Sequence, residues 1–421
     1  MPEETAVDPQ SSDVSHETLP PRRFGALGHP NFRLYFAGHL VSLVGWSMHS
    51  VAQPWLVLVL TDSPFYVGLV AMLGTFPIMI FSLLGGVVAD RFPKRRVLLI
   101  TQTLSMIIAL LLAAVVLTDV VSLTHVMIAS TLLGMTAAFD IPGRQAFLVD
   151  LVGKPDLMNA IALNSASFNS SRVIGPGVAG LIISTVGVGA CFLINGVSYI
   201  ALIFALVMIR LVTIPVAASM TSPPSTVRAG LSYVAANRRM RALILMIAFA
   251  SVFGFPFYVL LPVIARNVLG LGSSEFGWMV SASALGAVVA ALGLATLGRR
   301  VPKGRVIAIA APTFGVCVSL LGLARSFPLL LVLLMFTGFF QVVHTATTNT
   351  LVQSLARDEF RGRVMSVYSL AFLGLMPIGS FLAGTVAERW NTTAWLSVAG
   401  LICAGLMLLV LRLEPELREM R

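Results

Sequence analysis

The sequence predicts an all-α integral membrane fold of twelve transmembrane helices in two six-helix pseudo-symmetric bundles, and three observations carry that reading. Hydrophobic residues make up 57% of the 421 positions, charged residues only 11%, and the mean hydropathy is +0.91. No soluble domain carries that balance. Apolar runs of ~20 residues, the length a helix needs to cross a bilayer, recur along the whole chain. The basic loop GGVVADRFPKRR, Gly85 to Arg96, returns in faded form as ATLGRRVPKGR, with Pro302, Lys303 and Arg305 standing 209 positions after Pro93, Lys94 and Arg96. The chain is built twice.

Taken in order, residues 1–24 are polar and rich in Pro, Ser and acid, with no apolar core of a signal peptide, and read as a disordered cytoplasmic tail. Six apolar runs follow at roughly 36–60, 65–89, 96–117, 121–142, 158–183 and 187–210, forming an N-terminal bundle over 25–210. Residues 211–240 break the rhythm with Pro215, Pro223 and Pro224 and turn basic at Arg228, Arg238 and Arg239, which places a cytoplasmic linker there. Six more runs lie near 242–264, 276–298, 304–325, 328–351, 363–387 and 392–412, a C-terminal bundle over 241–412, before a short cytoplasmic tail over 413–421.

Orientation follows from retention of basic residues on the cytoplasmic side. With both termini inside, every Lys and Arg of the 28 except Arg172, Arg266, Arg325 and Arg389 falls in a cytoplasmic segment. Arginine outnumbers lysine 25 to 3, a skew that points to a GC-rich bacterial genome and so to the bacterial cytoplasmic (inner) membrane. The net charge of +10 therefore belongs to loops, since a nucleic-acid-binding face needs a soluble fold to carry it. Cys191, Cys317 and Cys403 all lie in apolar runs without CxxC spacing, so neither a disulfide framework nor a metal site is expected. The absence of GxxxxGK[ST], GxSxG and HExxH argues against an ATP-driven pump and an intramembrane protease.

The duplication reaches past the loop. Gly68 matches Gly277 at the same spacing of 209, and at a spacing of 204 Gly134, Gly175 and Gly180 match Gly338, Gly379 and Gly384. Glycine in a membrane helix marks close helix approach, so the recurrence indicates two halves with one packing plan. Two repeats with a site between them are a transporter architecture.

Over its whole length the chain resembles the major facilitator superfamily. The signature loop of that family, Gly, three residues, Asp, a basic residue, any residue, Gly and two basic residues, reads here as Gly86, Asp90, Arg91, Pro93, Lys94 and Arg95, with proline for the second glycine. The resemblance implies that Asp90 meets the positive N-terminal end of helix 11, near Gly362, and latches the halves together on the cytoplasmic side. A plainer role is to offset Arg91, Arg95 and Arg96. The second copy has Ala295 and Arg299 at the glycine and acid positions, so no such role carries over to it. On helix 5, Gly175, Pro176 and Gly180 resemble the antiporter motif of drug exporters, and generic helix packing explains the same residues. The block from Phe139 to Gly180 resembles the branch that holds enterobactin exporters and macrolide-efflux proteins.

Polar groups inside the membrane are costly, which makes them functional candidates. Arg172, near mid-depth on helix 5, shares a stripe with Asn164 and Phe168, and suits either an anionic substrate, an acid in proton exchange, or a structural hydrogen bond. Asp140 is the deepest acid and its candidate partner, although Arg144 stands one turn away. His49 and His344 are alternative proton carriers. Trp46, His49 and Gln53 form a stripe on helix 1, and Gln341, His344, Thr345 and Thr348 one on helix 10, helices that in this superfamily line the cavity. Phe253, Phe257 and Tyr258 offer an aromatic wall on helix 7, which suits an amphipathic ligand. The expected function is secondary active transport by alternating access, as a functional monomer without cofactor. Proton-coupled export of a drug, macrolide or siderophore-like metabolite is the first reading and import of a small metabolite on the same fold the alternative.

Overall fold

The computed structural model describes residues 25–209, 225–297 and 301–420. The expectations for the N-terminal tail and for linker positions 211–224 fall outside the described residues.

Among these residues the protein is helical without strands, and eleven helical segments are long and apolar enough to cross a bilayer. One of them accounts for two crossings. The run Leu123–Thr185 spans 63 residues but breaks at Gly153, whose φ of 70° and ψ of 176° suit glycine alone, and Pro155 follows. Its two arms, α4 (123–152) and α5 (154–185), return along the same neighbour. Gln53 donates to the Ser130 hydroxyl at 3.0 Å, while a side chain at Gly175 would run into Ser47. Ser130 and Gly175 would lie ~68 Å apart on one straight helix, yet their partners on the first helix are ~9 Å apart. The chain therefore reverses at Gly153.

The other crossings are α1 (Pro30–Thr61), α2 (Pro64–Arg91), α3 (Lys94–Leu117), α6 (Val188–Met208), α7 (Arg238–Val268), α8 (Ser273–Leu297), α9 (Lys303–Leu321), α10 (Phe327–Leu355), α11 (Arg361–Arg389) and α12 (Thr392–Leu413). Within the linker, a helix over Ser225–Ala236 lies against the start of α11, where Tyr233 stacks on Phe360 at 4.6 Å. The C-terminal turn Pro415–Glu419 docks on α9, with the Gly304 amide donating to the Met420 carbonyl at 2.8 Å.

Two kinds of residue shape the bundles. Small residues let backbones touch, as where Gly85 of α2 meets the Ala138 carbonyl of α4 and Gly338 of α10 meets Ser283 of α8. Wide π-type turns at Ala250–Gly254 and Ile264–Val268 in α7 and at Leu370–Gly374 in α11 interrupt the regular α-helical hydrogen bonding there. Ser251 uses the irregularity of α11, donating to the Phe372 carbonyl at 2.9 Å.

The halves meet unevenly. The first and last described residues, Gly25 and Met420, mark one end of the molecule, the tail end; the α1–α2, α5–α6 and α7–α8 loops mark the far end. Among the described residues, every hydrogen bond between the halves lies toward the far end. Ser63 and the Phe65 amide donate to Glu388, Arg266 donates to the Leu58 carbonyl at 2.7 Å and lies 3.6 Å from Asp62, and Asn267 reaches Asp62. On the other flank, the Ser281 hydroxyl accepts from the Gly177 amide at 3.0 Å, and Ser273 donates to the Gly180 carbonyl.

Candidate functional site: a cleft between the bundles

With the far end sealed, the tail-end faces of the two bundles are left to line a cleft. The signature loop makes no hydrogen bond or ion pair across it among the described residues. Asp90 is exposed and has no hydrogen-bond or ion-pair partner among the described residues, and both Gly86 and Gly362 face open space. The contact expected between Asp90 and the start of α11 is not formed here. Arg91 is exposed as well. Lys94 pairs with Asp150 at 2.8 Å, and Arg95 donates to the Leu206 and Val207 carbonyls, so these two basic residues fasten α3 to α4 and α6 inside the N-terminal half.

Of the residues resembling an antiporter motif, Pro176 and Gly180 stand in the far-end seal, while Gly175 packs within its own half. Gly175 packs on Ser47 of α1, the Pro176 carbonyl is approached by Gly277 of α8, and Gly180 by Ser273.

Asp140 corrects one expectation. Its partner is Arg144, one turn along α4, at 2.6 Å, and not Arg172. Thr101 and Gln102 of α3 also donate to the carboxylate, at 2.9 and 2.6 Å. Arg144 bridges onward to His39 of α1, whose ring stacks on Tyr35 at 5.5 Å. An i, i+4 pair within a helix can enclose both charges because each meets the other and further polar groups. The histidine His39, absent from the sequence reading, was signalled by its position in an apolar run of α1.

Arg172 is half-buried on α5 and carries no hydrogen bond to any described residue. Its guanidinium lies 5.8 Å from the Phe168 ring centroid, and Phe168 in turn lies 5.7 Å from Trp46 of α1. Trp46 and Phe168 are 42% and 38% exposed, so this wall faces space rather than core. Asn164, one turn below Phe168, keeps a buried side-chain oxygen without a protein partner.

The two histidine stripes turn the other way. His49 is buried, bonded to Gln53 at 2.7 Å and edge-on to Phe192 of α6 at 5.1 Å; Gln53 itself is spent on His49 and Ser130. His344 and Thr348 are fully buried, and His344 lies flat against Phe314 of α9 at 6.5 Å. Both histidines thus pack inside their own bundles, and the expectation that they face the cleft is corrected. Helix periodicity identifies a polar stripe but not which neighbour it meets. On α10 the accessible row is the next one round, Gln341, Thr345, Asn349 and Gln353 at strict four-residue spacing, of which Asn349 and Gln353 are missing from the sequence reading. On α7, Phe257 is buried, while Phe253 and Tyr258 are half-buried, and the Tyr258 hydroxyl is held by Ser283 of α8 at 2.7 Å. The aromatic cluster is largely packing.

Two helical bundles joined by a linker, sealed at one end and open between them at the other, define a membrane transporter. The sequence comparisons give the family: the model MFS_3, described as "Transmembrane secretion effector", matches residues 22–420, and this chain belongs to that family of the major facilitator superfamily. Relatives include the Staphyloferrin A transporter of Staphylococcus aureus, 25% identical with 92% of this chain and 97% of the relative covered. The multidrug efflux pump Tap of Mycolicibacterium fortuitum is 28% identical, covering 93% and 97%, and the enterobactin exporter EntS of Shigella flexneri 26% identical, covering 93% and 94%. Among solved structures, the nucleoside transporter NupG superposes with a TM-score of 0.72 at 15% identity over 93% of this chain and all of its own. A bacterial homolog of the lysosomal transporter Spinster, inward-facing and unoccupied, gives 0.70 at 14% identity, covering 92% and 98%. These likenesses concern the fold.

Proposed function

We propose that this protein exports hydrophobic or amphipathic small molecules across the bacterial cytoplasmic membrane by alternating access, in exchange for protons, with both termini in the cytoplasm. The observation that carries the reading is the one-sided seal. Contacts between the halves gather at the far end while Asp90 and Gly362 stand apart at the tail end, the arrangement expected of a carrier whose site is open to one side. The tail end also carries Arg91, Arg95, Arg96, Lys303 and Arg305, which by the retention of basic residues makes it cytoplasmic, so the cleft opens where an exporter collects cargo. The relatives named for siderophore and drug transport support export of this chemical range.

Proton exchange has one well-built candidate. Asp140 is the only acid deep in a described crossing, and it is wired through Arg144 to His39, so a proton arriving at the carboxylate alters a network that joins α1, α3 and α4. Arg172, His49 and His344 remain secondary candidates by their depth alone. The test is accumulation of dyes, macrolides and siderophores in inverted vesicles with and without an imposed proton gradient. Gradient-dependent uptake is expected, and fluxes indifferent to collapse of the gradient refute the coupling.

A further inference from the structure

One charge in the cleft is answered by nothing among the described residues. Arg172 lies ~20 Å along α5 from its far end, near mid-depth. The lipid side of α5 is marked by Ile174 and Leu181, which are exposed and apolar, at 64% and 47%. Arg172 points elsewhere, on the face it shares with Pro176, whose carbonyl is covered by Gly277 of α8 in the far-end seal. Below that cover the same face is uncovered, and it carries Phe168 and Ser165, both exposed. This face is therefore the α5 wall of the cleft.

The guanidinium is unpaired by every described carboxylate and carbonyl. Asp140, the one deep acid, is already held by Arg144, Thr101 and Gln102. The remaining acids of the described crossings, Asp90, Asp150, Asp156, Glu275 and Glu388, sit at helix ends, and Asp150 and Asp156 are already paired with Lys94 and His29. The accessible row on α10, Gln341, Thr345 and Asn349, is neutral. A guanidinium at this depth without an anion is costly, and contact with one aromatic face returns only part of the loss. What remains is a fixed positive charge in a partly dehydrated cleft, with a flat apolar wall, Phe168 and Trp46, immediately beside it. An anionic ligand gains there twice, by charge on Arg172 and by stacking on the rings, whereas an organic cation meets repulsion with no acid to offset it.

We propose that the cargo of this site is an organic anion carrying an aromatic or similarly flat apolar group, its negative charge taken by Arg172 and its ring by the Phe168–Trp46 wall. The proposal rests on the transport reading above but concerns recognition alone, so binding and flux are measured separately. The probes are carboxyfluorescein and rhodamine 6G, which share a xanthene ring and differ in the sign of their charge. Binding to the purified full-length protein in nanodiscs is followed by dye polarisation, and flux by dye movement in proteoliposomes. Carboxyfluorescein is expected to bind the more tightly, Arg172→Gln to weaken it by about tenfold or more, the scale of one lost charged partner, and Arg172→Lys to retain part of the affinity. Rhodamine binding is expected to be unchanged or improved in Arg172→Gln. Equal or tighter binding of the cation, or carboxyfluorescein affinity unmoved in a properly folded Arg172→Gln protein, overturns the proposal. Anion binding without any flux leaves recognition standing and counts against the transport reading.

Discussion

Gly68 of α2 and Gly384 of α11 meet backbone to backbone across the boundary between the halves, so that a Cβ on Gly68 would stand 2.9 Å from the Gly384 Cα. Gly180 of α5 and Gly277 of α8 repeat the meeting on the other flank, with a Cβ on Gly277 3.1 Å from the Gly180 Cα. The sequence duplication pairs the same four glycines differently, Gly68 with Gly277 and Gly180 with Gly384. Each crossing therefore joins one glycine of each repeat type, as a two-fold relation between the halves requires.

A side chain at either crossing should hold the far end open. Gly68→Leu inserts volume against backbone that has no rotamer to yield, a cost of about 1–3 kcal/mol to the closed arrangement, which moves the balance of states by about tenfold or more. The check is maleimide labelling of a cysteine at Trp55, whose ring stacks on Phe276 of α8 at 5.8 Å in the sealed state. Labelling should accelerate in Gly68→Leu, and Gly277→Leu should do the same from the other flank.

The Asp140–Arg144 pair should behave as a buried unit. Asp140→Asn leaves Arg144 largely enclosed with only a neutral partner and should destabilise the protein by about 3–5 kcal/mol. Joint replacement, Asp140→Asn with Arg144→Gln, should recover much of the thermal stability in nanodiscs while leaving gradient-driven transport abolished. Recovery of transport together with stability would make the pair purely structural.

The division between legible and illegible features follows from what each depends on. The crossings and the repeat are written in local hydropathy and in the spacing of glycine and proline, and the α4–α5 reversal, placed in the sequence between runs, appears at Gly153. Which face a polar stripe presents depends on neighbours. His49 and His344 lie on the expected helices, yet Phe192 and Phe314 claim them for the bundle interiors. The partner of Asp140 was a choice between a residue on the same helix and one on another, and the i, i+4 geometry prevailed. The row Gln341, Thr345, Asn349, Gln353 was readable from its spacing but hidden by the more conspicuous histidine beside it.

At the tail end, Asp90 stands exposed and unpaired among the described residues, and the proposed latch has it meet α11 when the halves close there. Asp90→Asn should slow turnover several-fold by weakening the closed latch, a helix-terminus contact of about 0.3–1 kcal/mol when exposed, while ligand affinity in the open state stays within about twofold. Parallel equilibrium binding and flux measurements separate the two. A variant with normal turnover would remove Asp90 from the gate.

Alternating access itself is tested most directly by paired distances. Spin labels at Val120 and Leu323 report on the far end, and labels at Met158 and Arg357 on the tail end; all four positions are exposed, and the native cysteines Cys191, Cys317 and Cys403 are buried. Pulsed electron paramagnetic resonance at acidic and alkaline pH, with and without ligand, should show a reciprocal change, the far-end distance lengthening as the tail-end distance shortens. Two distances that stay fixed, or that move in the same direction, would contradict alternating access.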